Sequence, residues 1–137
     1  MSHSMTSDSL TVVAIAVVRC QEEVLVGRRP EGVPLAGMAE FPGGKCAPQE
    51  SPEDAAVREC LEETGLVVEA QGRLCEVEHS YAHGRVRLIF VACRTTTRQS
   101  PRPPFRWVPV HQLRQLPFPE ANQPVLDLLC KTATFRA

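Results

Sequence analysis

The chain has 137 residues, 43% of them hydrophobic and 23% charged, with a formal net charge of −1. That length suits one domain able to bury a core without disulfide staples, and the near-neutral balance excludes the basic footprint of a nucleic-acid binder. Any anionic ligand must therefore be held by local charge or by a metal ion.

Cys20, Cys46, Cys60, Cys75, Cys93 and Cys130 are scattered, several of them inside apolar runs, and none forms a CxxC pair. This reads as free thiols in a reducing compartment rather than a disulfide framework or a zinc site. Met1 to Ser9 is polar and lacks the apolar core of a secretory signal, so residues 1–9 are expected to be a loose tail and 10–137 the single domain. No stretch reaches the length of a membrane span. The expected location is the cytoplasm, without a membrane partner.

Leu10 to Arg19 is apolar and β-branched, as in a buried strand, and Val24 to Gly27 resumes after the polar break Gln21 to Glu23, suggesting a hairpin. Arg28-Arg29-Pro30 ends it, because Pro resists continuing a ladder. A loop from Glu31 to Met38 leads into EFPGGK, Glu40 to Lys45, where paired glycines let backbone approach a ligand closely. Ser51 to Glu63 is the clearest helix. Ser51 is a good N-cap, Pro52 suits the first helical position, Asp54 suits the positive end, and Gly65 is a stop. Strands are expected at Leu66 to Glu69, Arg73 to His79 and Val86 to Thr95, followed by a proline-rich loop and a short strand at Arg106-Trp107-Val108. Short helices are expected at Val110 to Leu116 and Ala121 to Lys131. Strands on both sides of one strong helix imply a mixed α/β sandwich.

On that helix Glu59, Glu62 and Glu63 share a face, and Ala56, Val57, Cys60 and Leu61 form the opposite, core-facing stripe. Clustered carboxylates repel one another unless a cation lies between them, and a hard divalent ion with oxygen ligands does this well. If the Gly43-Gly44 loop folds against the helix, Glu50 and Arg58 pair and hold loop and helix in register. Magnesium with open positions for water and phosphate oxygens would then serve phosphoryl chemistry, one glutamate accepting the water's proton. Taken alone, an acidic helix face is ordinarily just solvated and a Gly-Gly pair just a turn.

Gly44 to Leu66 reads GKCAPQESPEDAAVRECLEETGL. It resembles the Nudix box at every fixed position: Gly44, Glu50, Arg58, Glu59, Glu62, Glu63, Gly65 and Leu66. The GRR strand end, the EFPGGK lead-in, Trp107 and FPEANQPVL resemble the MutT-like branch of that family. The resemblance implies an α/β/α sandwich around a mixed sheet, with the box as loop–helix–loop. It implies hydrolysis of a nucleoside triphosphate to monophosphate and pyrophosphate with Mg2+, or Mn2+ in its place. Glu59, Glu63 and the Gly43 carbonyl are the implied metal ligands, with Glu62 a further ligand or water-organiser, and Arg58 and Glu50 supports. Glu59 is the favoured base. On the substrate side the resemblance implies Arg28, Phe41, Gly43, Gly44, Lys45 and Asn122, with Asn122 facing the base edge or serving the last helix start. Phe41 and Phe118 either stack on a base or fill core, and core is the better expectation. His79 and His83 are expected to be solvated or structural, and Arg85, Arg87, Arg98, Arg102 and Arg106 either guide a polyphosphate or face water.

The MutT-like pattern often adds a metal-linked carboxylate from the loop before the tryptophan. Here no Asp or Glu occurs from His79 to Pro119. The implied substrates are oxidised guanine triphosphates such as 8-oxo-dGTP, a pyrimidine triphosphate such as CTP, or, further off, ADP-ribose and dinucleoside polyphosphates. A silent nucleotide-binding module is the non-enzymatic alternative. The expected partner is a small nucleotide, without direct nucleic acid, to a monomer or homodimer.

Overall fold

Strand β1, Leu10–Cys20, is the centre of the molecule and explains much of the rest. Its side chains alternate between two buried faces: Ala14, Ala16 and Val18 enter one core cluster, and Val17, with Ile15 packed beside it, enters another. A strand covered on both sides is apolar throughout rather than alternating. The computed structural model describes residues 9–82 and 84–136; Met1 to Asp8, His83 and Ala137 lie outside the described residues.

β1 turns at Gln21 and Glu22 into β2, Glu23–Arg28, pairing antiparallel with Arg19 opposite Val24. On its other edge β1 runs parallel to β6, Gly84–Arg94, with Ala14 opposite Ile89. β6 in turn pairs antiparallel with β5, Glu69–Tyr81. β7, Arg106–Pro109, and β3, Ala39–Glu40, both pair antiparallel with β2. β4, Gly43–Lys45, pairs with the middle of β1, Gly44 opposite Ala14. The result is the expected mixed sheet, with parallel and antiparallel pairs together.

Helix α1, Pro52–Thr64, covers one face and α2, Gln123–Arg136, the other. The start of α1 is as expected: Asp54 N–H donates to Ser51 Oγ at 3.0 Å. Gly65 adopts φ 81°, and its N–H caps the Leu61 carbonyl. The buried stripe differs from the expected one. Ala55, Ala56, Cys60 and Thr64 are buried, Val57 is half-buried, and Leu61 is 47% exposed. A residue one step after Cys60 is rotated by about 100° and leaves the contact face. Thr64 is tolerated there because its hydroxyl donates to the Cys60 carbonyl at 2.7 Å and accepts from Leu66 N–H at 3.1 Å.

Of the two strands expected at 66–69 and 73–79, residues 66–68 form no strand, and the second begins earlier than expected, at Glu69. β5 spans 69–81 with irregularities between Ala70 and Gly72 and between Arg73 and Cys75. Each inserts an unpaired residue, which breaks the alternation a sequence reader follows. The two ends of EFPGGK, expected as loop, are the short strands β3 and β4. The segment Val110–Gln115 is a 3-10 helix, and a second 3-10 turn, Glu120–Asn122, precedes α2. No helix of the described residues is long and apolar enough to cross a membrane.

Candidate active site

β4 is where loop and helix meet, and its glycines explain how closely. A Cβ on Gly44 would lie 2.5 Å from the Glu59 carboxyl carbon, and one on Gly43 would lie 2.5 Å from the Ala14 carbonyl oxygen. Only glycine lets the strand lie between β1 and α1 at this distance. Gly43 N–H then donates to Glu63 Oε1 at 3.4 Å.

Arg58 locks the loop to the helix. Its Nε and Nη2 donate to the two Glu50 oxygens at 2.8 and 2.9 Å, a bidentate pair. Nη2 also reaches the Lys45 carbonyl at 3.2 Å, and Nη1 reaches Glu59 at 3.1 Å and Glu62 at 3.3 Å. The Arg58 bonds, with Ala47 N–H, hold the Glu50 carboxyl down at about 2. Glu50 and Arg58 are thus brought together as expected.

The three helix glutamates are not equivalent. Glu62 is 58% exposed and turned to Arg58. Glu59 and Glu63 lie against β4 and share a hydrogen bond; burial first, and that bond second, push Glu63 up to about 7. Two carboxyls held together against burial suit a cation that would replace the shared proton. Among the described residues, no group of three or more His, Cys, Asp or Glu side chains converges as a formed metal cluster. The donor set that fits a hard divalent ion is the Glu59–Glu63 pair beside the Gly43 main chain.

Beside Gly43 opens a cavity of about 550 Å³ on the α2 face of the sheet. Val13, Ile15, Leu88 and Phe41 form its apolar wall. Asn122 lines it, as expected, and is half-buried; its Nδ2 and its N–H both approach the Pro119 carbonyl, at 3.3 and 3.0 Å. The Asn122 side chain makes no N-cap bond. Phe41 stacks on Phe118 with ring centroids 4.9 Å apart, both rings buried, so the core expectation holds even though Phe41 borders the cavity.

Arg28 does not reach this cavity. It is exposed and borders a separate cleft with Arg106 and Pro104. The strand repeat turns consecutive residues to opposite sides, and Arg29 faces the cavity instead. Arg29 is fixed there by Nε to the Pro34 carbonyl at 2.8 Å and Nη1 to Glu40 at 3.3 Å. Burial pushes Glu40 above the ordinary carboxyl range, and Arg29 offsets part of this. The sequence carried the signal for Arg29, a doubled arginine at a strand end, without deciding the register. Lys45 is exposed and borders a cleft of about 570 Å³ on the α1 face, with Glu50, Arg73 and Arg87. His79 and Glu120, neither assigned a ligand role from the sequence, also border the Asn122 cavity.

The family model described as NUDIX domain matches residues 13–128. The chain belongs to the Nudix family. A relative named 8-oxo-dGTP diphosphatase from Escherichia coli (strain K12) is 29% identical over 121 residues, covering 85% of this chain and 94% of the relative. Another E. coli (strain K12) protein, named CTP pyrophosphohydrolase, is 41% identical over 54 residues, covering 39% of this chain and 40% of that one. The solution structure of the MutT protein from methicillin-resistant Staphylococcus aureus 252 superposes with a TM-score of 0.75 at 26% identity, covering 91% of this chain and 98% of that one. This Nudix hydrolase therefore stands in the MutT-like branch, and its chemistry is hydrolysis of nucleotide phosphoanhydrides.

One departure has a structural counterpart in this Nudix chain. The loop before Trp107, which lacks a carboxylate, delivers an arginine instead. Arg102 Nη1 donates to the Glu62 carbonyl at 2.8 Å, and Arg102 N–H donates to the Thr64 carbonyl at 2.8 Å. α1 has no basic residue in its own last turn, so Arg102 serves its negative end. Of the other arginines of the basic set, Arg106 is exposed beside Arg28, and three are engaged away from the cavity. Arg85 and Arg87 pair with Glu78, and Arg98 pairs with Glu23 beneath its contact with the Trp107 ring.

Proposed function

We propose that the chain hydrolyses a nucleoside triphosphate to a nucleoside monophosphate and pyrophosphate, with Mg2+ held by Glu59, Glu63 and the Gly43 carbonyl. When bound, the ion supplies charge neutralisation on the phosphates and an acidified water. Glu59 and Glu63 orient that ion, and Glu62 swings from Arg58 to organise water. Arg58 and Glu50 keep the carboxylates in register with β4. The base and sugar occupy the Asn122 cavity on the α2 face, and the phosphates cross β4 toward the carboxylates on the α1 face. Arg29 offers the cavity its cation, in the place first expected of Arg28.

The observation that carries this reading is the adjacency at Gly43: the same residue donates to Glu63 and borders the cavity. Support for an oxidised guanine triphosphate as substrate comes from the 8-oxo-dGTP diphosphatase relative, matched along most of both chains. The CTP reading rests on a match to less than half of either chain. The domain, 10–137, is proposed to work in the cytoplasm on the nucleotide pool.

The test is incubation with Mg2+ and 8-oxo-dGTP, dGTP, CTP, ADP-ribose or diadenosine tetraphosphate, followed by chromatography. Monophosphate and pyrophosphate from 8-oxo-dGTP in preference to CTP is the expected result. Turnover of ADP-ribose alone would sink the triphosphate reading. Tight binding of one nucleotide without any turnover would establish the silent-module alternative.

A further inference from the structure

The wall of the cavity formed by the 3-10 turn Glu120–Asn122 carries two side chains able to accept hydrogen bonds. Asn122 donates one of its two amide N–H groups to the Pro119 carbonyl at 3.3 Å, and its Oδ1 accepts no hydrogen bond among the described residues. Glu120, two residues earlier on the same turn, borders the same cavity with a carboxylate that only accepts. The side chain of Glu120 is exposed and has no ion-pair partner among the described residues. Arg29, the cavity's guanidinium, is already engaged by Glu40 and Pro34. This turn therefore sets two acceptors, Asn122 Oδ1 and the Glu120 carboxylate, beside an apolar floor.

We infer that Glu120 is a specificity-determining residue that selects a base with two adjacent donors, the guanine-type edge carrying N1–H and the N2 amino group. This rests on reading the cavity as the nucleoside site. Among the common bases, guanine alone presents two neighbouring donors that one carboxylate accepts together. Cytosine and adenine set an amino group beside a ring nitrogen lone pair, and that lone pair would face the carboxylate with no proton between them. A site built to bind a donor rejects the analogue that lacks it, because its own acceptor then loses a partner. Oxidation of guanine at C8 leaves the N1–N2 edge intact, so both the oxidised and the ordinary base satisfy Glu120.

The experiment is calorimetric titration of the full chain, in Mg2+, with dGMP, dIMP, dAMP and dCMP, for wild type and Glu120→Gln. dIMP keeps N1–H and lacks only the N2 amino group. Wild type is expected to bind dGMP about tenfold tighter than dIMP, as suits one charge-assisted hydrogen bond. In Glu120→Gln that gap shrinks to about threefold or less, since a neutral amide accepts more weakly. An unchanged gap in the variant, equal wild-type affinity for dCMP and dGMP, or no binding of any of the four would overturn the assignment. Hydrolysis of the triphosphate panel is read separately. Failure of the base preference with hydrolysis intact rejects Glu120 alone, and failure of hydrolysis with the preference intact rejects the enzymatic reading alone.

Discussion

Gly44→Ala separates activity from folding. A Cβ at Gly44 meets the Glu59 carboxylate at 2.5 Å, against about 3.4 Å for ordinary contact. The carboxylate must retreat by about 0.9 Å, which is the misplacement that costs on the order of a hundredfold in rate when a reacting group is involved. The clashing atoms end a flexible side chain, so relief requires only a shifted rotamer, about 1 kcal/mol. Gly44 has no positive φ, and alanine loses less chain entropy on folding, which offsets part of that cost. Hydrolysis rate at saturating substrate and Mg2+, with a thermal melt beside it, reads both effects. The expected outcome is kcat down about a hundredfold with Tm within about 4 °C of wild type. Wild-type kcat in a folded Gly44→Ala protein would refute the placement of Glu59 against β4.

Gly43→Ala is the complementary case: its Cβ meets the backbone of β1, which cannot swing aside, so a loss of about 2 kcal/mol is expected in urea unfolding. Arg58→Lys should not restore what Arg58→Ala loses in kcat and Tm, because one ammonium cannot reproduce a bidentate pair with Glu50 and reach Glu59 as well. The Glu63 carboxyl, raised to about 7 from 4.5, makes the metal-free fold most stable below its ordinary value, and that stability is lost as pH rises through 7. Melts in chelator should therefore show Tm falling between about pH 5 and pH 8, and Glu63→Gln should flatten the slope; an equal slope in the variant contradicts the assignment. Trp107→Phe removes the indole donor to the Gln99 carbonyl, 2.8 Å away, and should cost about 1–2 kcal/mol in the same unfolding assay.

Those features legible in the sequence are the ones set by local rules. Ser51, Pro52 and Gly65 marked α1 because caps are read from single residue types, and β1 was marked by an unbroken apolar run. The box fixed Glu50, Arg58 and the glutamates by spacing, and the structure brings Glu50 and Arg58 together and sets Glu59 and Glu63 against β4. What spacing could not show was the direction each carboxylate takes. Glu62, one step from Glu63, turns out to Arg58 because the helix rotates it off the β4 side. The choice between Arg28 and Arg29 depended on strand register, which is set by pairing of β2 with β3 and not by the pair of arginines itself. The bulges of β5 hid its first residues, Glu69 to Gly72. Glu120 and His79 border the cavity only because the segment before α2 and the end of β5 meet there, a long-range contact with no local signature.

The proposed function puts metal-dependent cleavage of a triphosphate on the Glu59–Glu63 pair. The most direct measurement is pyrophosphate release from 8-oxo-dGTP with and without Mg2+, for wild type and Glu63→Gln. Wild type is expected to release equimolar monophosphate and pyrophosphate with Mg2+ only, and Glu63→Gln to do so at a rate at least about a hundredfold lower. Orthophosphate as the product, or release by Glu63→Gln at the wild-type rate, would contradict it.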